Sequence, residues 1–516
     1  MISPKPVKIW QKDVIERMEE HRFQSCWQTV KPPEFPRLNG DCNADAVIVG
    51  GGLCGLLCAY ELLRKGVRDI VILEAGKILN GTTAGTTGKI TSQHGLIYAA
   101  LEKGMGTKAA WQYAKANEEA VSRFVQIVRT ESIDCDFVPC DAYLYACTPE
   151  GAQRVKEEAE AARRLSIEAS FTERCEELPF PTLGAVRFSG QAKFHPMKFA
   201  CRLAEILRDR GVKIYENTPA VALDDNRILT GTGHVYGKSV LLCSHYPFTN
   251  LKGFYFARIV QNRSYLAALR GAPELAGMYL DCEDAGLSFR SARVDGEDLL
   301  LLGWGAHKTG HETDVSHFEK LEEEAKKLYP ASSVACRWSA QDCETNDGIP
   351  LIGRYRQFGD RVYLATGFRK WGMTGSMAAA NLLSDLIVSG KSEVADVFSP
   401  KRVDLGMQAG KFFREAADTA ENFLRGYTEI PKGGVAELKD GEGGIVEFDG
   451  AKIGAYRDED GNLHGVKPFC THMRCPLRWN PEEHTWDCPC HGSRFDADGN
   501  VLGNPAFLPL EKRGPD

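Results

Sequence analysis

The pattern of apolar and polar residues predicts alternating strands and helices near the start of the chain. Residues 46–49 form an unbroken apolar run, which is typical of a strand buried on both faces of a parallel sheet. A glycine-rich turn follows, and 56–65 has the pattern of a helix that ends at Gly66. Residues 70–73 are a second apolar run, closed by Glu74. These segments together predict a β-α-β unit of about 30 residues.

The rest of the chain divides into a mixed region and an all-β end. Helical patterns are predicted at 108–129, 149–164, 196–210, 316–328, 375–389 and 404–424. Strands are predicted across much of 185–256 and at 263–269, 298–302 and 362–365. From 427 onward, short strands alternate with Gly and Asp turns, which indicates a small all-β domain.

Composition narrows the class of protein. A chain of 516 residues favours two or three domains, and 43% hydrophobic with 26% charged residues is typical of a soluble globular protein. The net charge of −7 and the lack of a basic stripe argue against a nucleic-acid partner. No segment has the roughly 20 apolar residues of a membrane span, and the N-terminus does not resemble a signal peptide. Scattered cysteines suit a reducing compartment, so we expect a cytoplasmic protein.

The glycine-rich turn of the β-α-β unit predicts a dinucleotide site. Gly50, Gly52 and Gly55 form G-x-G-x-x-G between a strand and a helix, where they allow a tight turn, close approach of a pyrophosphate and close packing. The helix N-terminus attracts phosphate, and Glu74 lies where an acid binds ribose hydroxyls. The alternative is a glycine-rich turn without a ligand. The turn itself leaves the choice between FAD and NAD open, although only one such fingerprint is present.

Several further segments, in this order, carry a resemblance to a known family. They are Gly81 to Lys89, Thr91 to Gly95, Phe194-His195-Pro196, His245 to Phe248, Asp347 to Pro350, Ala365-Thr366-Gly367 and Thr366 to Gly375. With the glycine turn and Glu74, they make the first 400 residues resemble the D-amino-acid oxidase/glycine oxidase superfamily of FAD enzymes. The resemblance is strongest to the members that end in a Rieske domain.

This resemblance implies a fold class and a domain organisation. A discontinuous α/β FAD-binding domain of the Rossmann-like, glutathione-reductase type is expected over 44–400. An α+β antiparallel-sheet substrate domain is expected as an insertion at roughly 135–185 and 255–335. An N-terminal arm (1–43), a connecting helix (401–426) and a small all-β Rieske domain (427–516) complete the organisation.

The resemblance also implies the residues that contact FAD. They are the three glycines and Glu74, and in addition Thr82, Thr83, Lys89, Val221, Gly367, Gly372, Met373 and Thr374. Some relatives attach the flavin through a His in the Gly-Thr-Thr loop, but this chain has Ala84-Gly85 there, which predicts noncovalent FAD. Candidate catalytic residues are Lys89, His94, His245, Arg290 and Lys370. Each of these could instead be a surface charge or a buried histidine with structural partners.

Two short motifs near the C-terminus predict a metal centre. Cys470-Thr471-His472 and Cys488-Pro489-Cys490-His491 supply one Cys and one His from each of two loops, as a Rieske [2Fe–2S] cluster requires. A structural zinc site also takes two Cys and two His, but zinc-finger histidines usually lie on a helix, and this region reads as all-β. By resemblance to bc-type Rieske proteins, Cys475 and Cys490 form a disulfide that ties the two loops together.

The two predicted cofactors together indicate an oxidoreductase. By family resemblance, a small amine or amino acid is oxidised at FAD, and the cluster passes electrons singly to an external carrier protein such as a ferredoxin. One alternative is a reductase that runs in the opposite direction. Others are a redox relay or sensor without turnover, and an oxidase that forms H₂O₂.

Overall fold

The computed structural model of the protein describes residues 24–249, 255–283, 286–311, 316–402, 405–428, 431 and 433–514. Several predicted segments therefore lie partly outside the described residues. These parts are 1–23 of the arm, 250–254 of the strand-rich region, 284–285 and 312–315 of the inserted domain, 403–404 of the connecting helix, and 429–430, 432 and 515–516 of the C-terminal domain.

The first sheet has eight strands and a parallel centre. Its strands are β1 (Cys42–Val49), β2 (Ile70–Leu73), β7 (Lys213–Tyr215), β8 (Ala220–Asp224), β9 (Arg227–Thr230), β10 (His234–Leu242), β16 (Leu351–Arg354) and β17 (Val362–Thr366). The main order is β16-β17-β10-β1-β2-β7. Strand β1 pairs in parallel with β10 on one side and β2 on the other, which confirms the predicted buried strand.

The second sheet has nine strands and is almost entirely antiparallel. Its strands are β3 (Lys89–Ile90), β4 (Val138–Ala146), β5 (Ala169–Thr172), β6 (Gly184–Lys193), β11 (Ile259–Arg270), β12 (Met278–Asp281), β13 (Ser288–Val294), β14 (Glu297–Lys308) and β15 (Ser333–Thr345). Most of this sheet comes from residues 138–193 and 259–345. These segments end later than the segments expected for the insertion, which end at roughly 185 and 335. The long strands β11 and β15 are antiparallel neighbours in this sheet. Strand β15 is followed in the chain by β16 of the first sheet.

Ten α-helices lie in the described part of the chain. They are α1 (Leu53–Arg64), α2 (Thr82–Gly85), α3 (Tyr98–Met105), α4 (Thr107–Thr130), α5 (Pro149–Arg164), α6 (Pro196–Asp209), α7 (His317–Leu328), α8 (Gly372–Val388), α9 (Ala395–Phe398) and α10 (Leu405–Thr428). The seven predicted helices are confirmed within three or four residues at each end. The short helices α2, α3 and α9 were not predicted, because four to eight residues show too little of the 3.6-residue period. None of the described helices has the length and apolar character to cross a membrane.

The C-terminal region contains two small antiparallel sheets. One comprises β18 (Gly443–Phe448), β19 (Ala451–Arg457) and β20 (Leu463–Val466). The other comprises β21 (Arg478–Asn480), β22 (Thr485–Asp487), β23 (Arg494–Phe495) and β24 (Val501–Gly503). Trp486 and Phe495 are fully buried between these strands. The predicted small all-β domain is therefore confirmed as a fold.

Two glutamates of the β21–β22 turn attach this region to the second sheet. The Glu482 carboxylate accepts hydrogen bonds from the Ser316 hydroxyl (2.6 Å) and the Phe318 amide (3.3 Å) at the start of α7. Glu483 forms a buried ion pair with Arg263 of β11, whose side chain is 1% exposed, and accepts a hydrogen bond from Ser339 of β15. Because a buried charge is costly unless it is paired, this contact holds the C-terminal region in one position.

We predict that Glu483→Gln lowers the free energy of unfolding by about 3 kcal/mol, since it leaves the Arg263 guanidinium buried without its carboxylate. Chemical denaturation followed by circular dichroism measures this. The control is Glu511→Gln, which removes the exposed partner of Lys467 and should cost less than about 0.5 kcal/mol. Equal effects of the two substitutions would contradict the prediction.

Candidate functional site

The glycine turn after β1 has the backbone geometry that a dinucleotide site needs. Gly50 has φ +113°, and a Cβ there would lie 2.5 Å from the Cys243 carbonyl oxygen. A Cβ at Gly55 would lie 2.0 Å from the Gly50 carbonyl oxygen. Packing within the protein therefore requires glycine at both positions. At Gly52, by contrast, a Cβ would meet only the Thr83 hydroxyl at 3.4 Å, so the space beside this glycine is open to a ligand.

The N-terminus of α1 and the end of β2 surround this turn. Gly52 is the N-cap of α1 and has no side chain to satisfy the first amides, which suits a phosphate at that end. The Glu74 carboxylate accepts hydrogen bonds from the Gly51 amide (2.8 Å) and the Gly76 amide (2.9 Å), and burial raises its pKa. The Thr218 amide donates a hydrogen bond to the Glu74 carbonyl (2.8 Å). The segment that precedes Val221 therefore lies beside the end of β2.

The threonine-rich loop lies between the glycine turn and the second sheet. The Thr83 hydroxyl accepts from the Leu53 amide (3.1 Å), and the Thr82 hydroxyl donates to the Gln341 carbonyl of β15 (3.2 Å). Lys89 follows in β3, where its Nζ donates to the Tyr279 carbonyl and the Ser288 hydroxyl, both at 3.3 Å. The loop therefore runs from the phosphate-binding helix to the inserted sheet, along the path that the resemblance gives to FAD.

Late segments return to the same region. Gly367 follows β17 with φ +78°, and a Cβ there would lie 2.5 Å from a Thr345 side-chain carbon. Gly372, Met373 and Thr374 form the first turn of α8. Thr374 donates to the Thr91 carbonyl (2.9 Å), so the start of α8 is fixed to the loop after β3. The predicted FAD contacts from distant parts of the chain are therefore neighbours in the fold.

The five candidate catalytic residues have different environments. Burial, followed by the nearby charge of Arg290, lowers the pKa of Lys89 to about 7. Arg290 is buried, and its guanidinium donates to the carbonyls of Gly88 (2.7 Å) and Phe194 (3.1 Å). It therefore holds the backbone of the threonine-rich loop. Lys370 is exposed. The positive charges of Arg290 and Lys370 both act to lower the pKa of Lys89, and we call these three residues the positive group.

The two candidate histidines are neutral at physiological pH. Burial lowers the pKa of His94 to about 3, and its ring contacts the Tyr113 hydroxyl at 2.7 Å and stacks on Trp371. Burial also lowers the pKa of His245 to about 4. The His245 Nε2 atom is buried, the part of the chain that the structure describes offers it no hydrogen-bond partner, and the residue has φ +64°. A direct role for any of the five residues in catalysis stays a prediction.

The four predicted metal ligands lie on two adjacent loops. Cys470 and His472 are in the loop between β20 and β21, and Cys488 and His491 are in the loop between β22 and β23. The imidazole centroids of His472 and His491 are 5.1 Å apart. Hydrogen bonding from Cys488, and to a smaller extent from Ser493, lowers the pKa of Cys470 to about 7, which favours the thiolate form that metals bind.

The chemistry of these ligands fits an iron–sulfur cluster. Both ring nitrogens of His491 are buried and have no hydrogen-bond partner among the described residues, which is unusual for an imidazole unless a metal is its partner. Next to the ligands, Cys475 and Cys490 form a disulfide between the two loops. The arrangement therefore places one Cys and one His of each loop on either side of a common space.

Two glutamines that the sequence did not single out connect the cluster loop to the second sheet. Gln261 of β11 donates to the carbonyls of His491 (2.7 Å) and Asn504 (2.8 Å). Gln341 of β15 donates to the Gly492 carbonyl (2.8 Å) and to the Gln261 side-chain oxygen (2.7 Å). Only the strand register, which places them diagonally across β11 and β15, reveals this pair. No sequence signal distinguishes them from other strand glutamines.

Asp342 is a second residue that the sequence analysis missed. It lies on β15 beside Gln341, and burial raises the pKa of its carboxyl to about 7 despite the opposing charge of Lys370. Perturbed carboxyl groups concentrate at functional sites. A lone Asp within a strand carries no motif, so its environment could not be predicted.

Comparison with known families supports both halves of this site. Residues 45–386 match the family model "FAD dependent oxidoreductase", and residues 429–512 match the model "Rieske [2Fe-2S] domain". The chain is 39% identical over 501 residues to "Putative Rieske 2Fe-2S iron-sulfur protein YhfW" of Bacillus subtilis (strain 168), covering 95% of this chain and 97% of that protein.

More distant similarities concern the FAD-binding part. Gamma-glutamylputrescine oxidoreductase of Escherichia coli (strain K12) is 23% identical, over 71% of this chain and 88% of that protein. The crystal structure of glycine oxidase from Geobacillus kaustophilus superimposes with a TM-score of 0.58 at 19% identity, over 70% of this chain and 99% of that chain. The fold class inferred from the sequence is thereby confirmed.

The predicted cofactors are confirmed by the same matches. The N-terminal domain binds FAD, and the open space beside Gly52 at the start of α1 fits its phosphates. The C-terminal domain binds a [2Fe–2S] cluster, and the buried imidazole of His491, for which the described residues supply no hydrogen-bond partner, fits an iron ligand.

We predict that Cys470→Ser loses all cluster iron, because a hydroxyl does not replace a thiolate on iron. The purified wild-type protein should contain about two irons and two acid-labile sulfides per chain. The matched control is Cys147→Ser, which changes an exposed free cysteine and should keep the iron. Zinc in place of iron in the wild-type protein would contradict the assignment.

We predict that Lys89→Met raises the free energy of unfolding by about 1–3 kcal/mol near pH 6 and by much less near pH 10. The folded-state pKa of about 7 lies below the ordinary value of 10.5. The unfolded chain therefore binds more protons between these values, and the destabilising effect of Lys89 is complete below about pH 7 and fades as pH rises.

Urea unfolding at the two pH values measures this effect. The control is Lys198→Met, because the Asp136 carboxylate 2.7 Å away raises the pKa of Lys198. That substitution should destabilise at low pH. A pH-independent effect of Lys89→Met would show that Lys89 is charged throughout.

Proposed function

Because this chain belongs to the family of FAD-dependent oxidoreductases and ends in a Rieske domain, we propose that it oxidises a small amine or amino acid and delivers the electrons singly to an external carrier. FAD, when bound, takes up two electrons at once, whereas a [2Fe–2S] cluster passes one at a time. One observation carries the proposal: hydrogen bonds link the FAD-contacting loop directly to a cluster-ligand loop.

This link has only a few steps. The Thr82 hydroxyl donates to the Gln341 backbone, the Gln341 side chain donates to the Gly492 carbonyl, and Gln261 joins Gln341 to the carbonyl of His491. Thr82 lies in the loop that the family resemblance gives to FAD, and His491 is a cluster ligand. Since the contacts are all direct, the chain holds its two cofactor sites at a fixed separation.

Backbone packing supports the same arrangement from both sides of the cluster loop. A Cβ at Gly310, which has φ +77°, would lie 2.5 Å from the Pro489 backbone nitrogen. The Asn504 side-chain amide donates to the Ser244 carbonyl (2.6 Å), next to His245. Loop 488–493 is therefore packed against β11 and the end of β14, and the nearby Asn504 contacts the loop after β10. This enclosure favours transfer of electrons within one chain.

His472, the second predicted histidine ligand of the cluster, suits the role of electron outlet. His491 is 6% exposed and faces the FAD-binding domain, whereas His472 is only partly buried. Two exposed apolar residues lie beside His472. Met473 is next to it in the chain, and Leu508 is close because the Thr471 hydroxyl donates to the Leu508 carbonyl (2.7 Å). We infer that a one-electron carrier protein such as a ferredoxin binds on this side.

The substrate class is inferred from relatives and from the positive group at β3. The names of two similar proteins include gamma-glutamylputrescine and glycine, which both carry an amine and a carboxylate. Lys89, Arg290 and Lys370 lie where a substrate carboxylate would be attracted. A neutral Lys89 and the Asp342 carboxyl, both with a pKa of about 7, can exchange a proton with an ammonium group at physiological pH.

Anaerobic titration tests the proposed direction. Purified holoprotein is mixed with candidate amines and amino acids, with flavin absorbance and the cluster EPR signal followed together. The proposal expects bleaching of the flavin first and the EPR signal of the reduced cluster second. Reduction of the flavin only by a reduced ferredoxin would establish the reductase alternative, and rapid O₂ consumption with an unreduced cluster would establish an oxidase.

We predict that Gln261→Ala slows reduction of the cluster by about tenfold or more without slowing reduction of the flavin, since small shifts of a positioned group have large effects on rate. Stopped-flow absorbance under anaerobic conditions separates the two phases. The control is Gln153→Ala, which removes an exposed glutamine of α5 and should change neither rate. An unchanged cluster phase in a Gln261→Ala protein with full iron content would exclude the proposed link.

A further inference from the structure

Three buried cysteines meet behind the dinucleotide turn, away from the Rieske ligands. Cys54 and Cys58 lie one turn apart on α1, and Cys243 directly follows β10. We call these residues the three-thiol cluster. Their side chains are not required for the FAD or iron–sulfur chemistry described above, and no sequence pattern groups residues of α1 with a residue almost 190 positions later.

The sulfur positions match a trigonal metal site. The three Sγ atoms all lie within 4.8 Å of one another, and Cys58 and Cys243 are 3.9 Å apart. A metal with three coplanar sulfur ligands at about 2.3 Å requires sulfur–sulfur separations of about 4.0 Å. The cluster therefore needs only small side-chain rotations to bind a cation at its centre.

The surroundings favour a thiolate at this position. Cys54 is in the first turn of α1, where the positive end of the helix dipole stabilises an anion. Exposures of 7% for Cys54, 1% for Cys58 and 6% for Cys243 show that all three side chains are buried.

We propose that the three-thiol cluster binds one cuprous ion. Three thiol groups in a buried site select a soft cation with low coordination number. Zinc sites in proteins are almost always four-coordinate when structural, and the described residues place no fourth sulfur, imidazole or carboxylate among the three sulfur atoms. On binding, the cation replaces thiol protons, which pass to solvent, and no electron is transferred.

A bound cation would join two elements that build the FAD site. It would connect α1, whose N-terminus receives the phosphates, to the end of β10. The carbonyl of Cys243 already lies against Gly50 of the dinucleotide turn. The ion would therefore fix the position of that turn. This inference concerns a separate site and does not depend on the proposed reaction.

Copper analysis of the whole protein tests the proposal. The protein is produced in copper-supplemented medium and purified without oxygen in the presence of bathocuproine disulfonate, which removes loosely bound cuprous ions. We expect about one copper per chain, and X-ray absorption at the copper edge should show three sulfur ligands near 2.3 Å. FAD and iron contents are measured on the same samples, so that loss of the Rieske cluster to copper would be detected.

Variants locate the ion. The double variant Cys58→Ala/Cys243→Ala should reduce retained copper to below about one tenth per chain, because a single sulfur does not hold the cation against the chelator. The matched control is Cys201→Ala, which changes an equally buried cysteine of α6 outside the cluster and should keep the copper. Flavin absorbance reports folding of each variant, and the wild-type X-ray absorption result stands if a variant does not fold.

Three results would overturn the proposal. They are the absence of retained copper in the wild-type protein, retention of copper by a folded Cys58→Ala/Cys243→Ala variant, and a Cys58–Cys243 disulfide found by mass spectrometry in the anaerobic protein. Zinc in place of copper would overturn the identity of the cation.

Discussion

The contact between the second cluster-ligand loop and strands β11 and β15 is the constraint on which the arrangement of the whole molecule depends. Two glycines make this contact possible. A Cβ at Gly492 would lie 2.7 Å from the Gln261 Cβ, and a Cβ at Gly310 would overlap the Pro489 backbone. Because backbone meets sheet without intervening side chains, the loop carbonyls reach the side-chain amides of Gln261 and Gln341. The position of the cluster follows from that approach.

Polar groups make this interface specific. Glu483 pairs with buried Arg263, and Asp487 pairs with Arg494 (3.0 Å) in the same region. Buried ion pairs contribute little net stability compared with apolar packing, but a misplaced domain would leave each charge unpaired at high cost. The interface therefore excludes other orientations of the C-terminal domain more effectively than it stabilises the correct one.

In the FAD-binding part, polar side chains also hold a loop in place. Arg290, on β13, donates to backbone carbonyls of the threonine-rich loop, and the Trp27 indole donates to the Thr86 carbonyl (2.6 Å) in the same loop. A loop without regular secondary structure has carbonyls that need partners, and side chains from distant segments supply them. Residues that resemble catalytic candidates by type, Arg290 above all, thereby have a structural task that their sequence context does not reveal.

The sequence by itself determined the local elements and both cofactors. Three features are local patterns: the apolar run of β1, the glycines with fixed steric tasks, and the C-x-H and C-x-x-H spacings. Local patterns can be identified from the sequence of a single segment. Tertiary structure decided which distant residues meet. Gln261, Gln341, Asp342 and the three-thiol cluster acquire their properties from burial and from neighbours on other elements. Burial and proximity are set by packing of the whole chain, and no single segment contains that information.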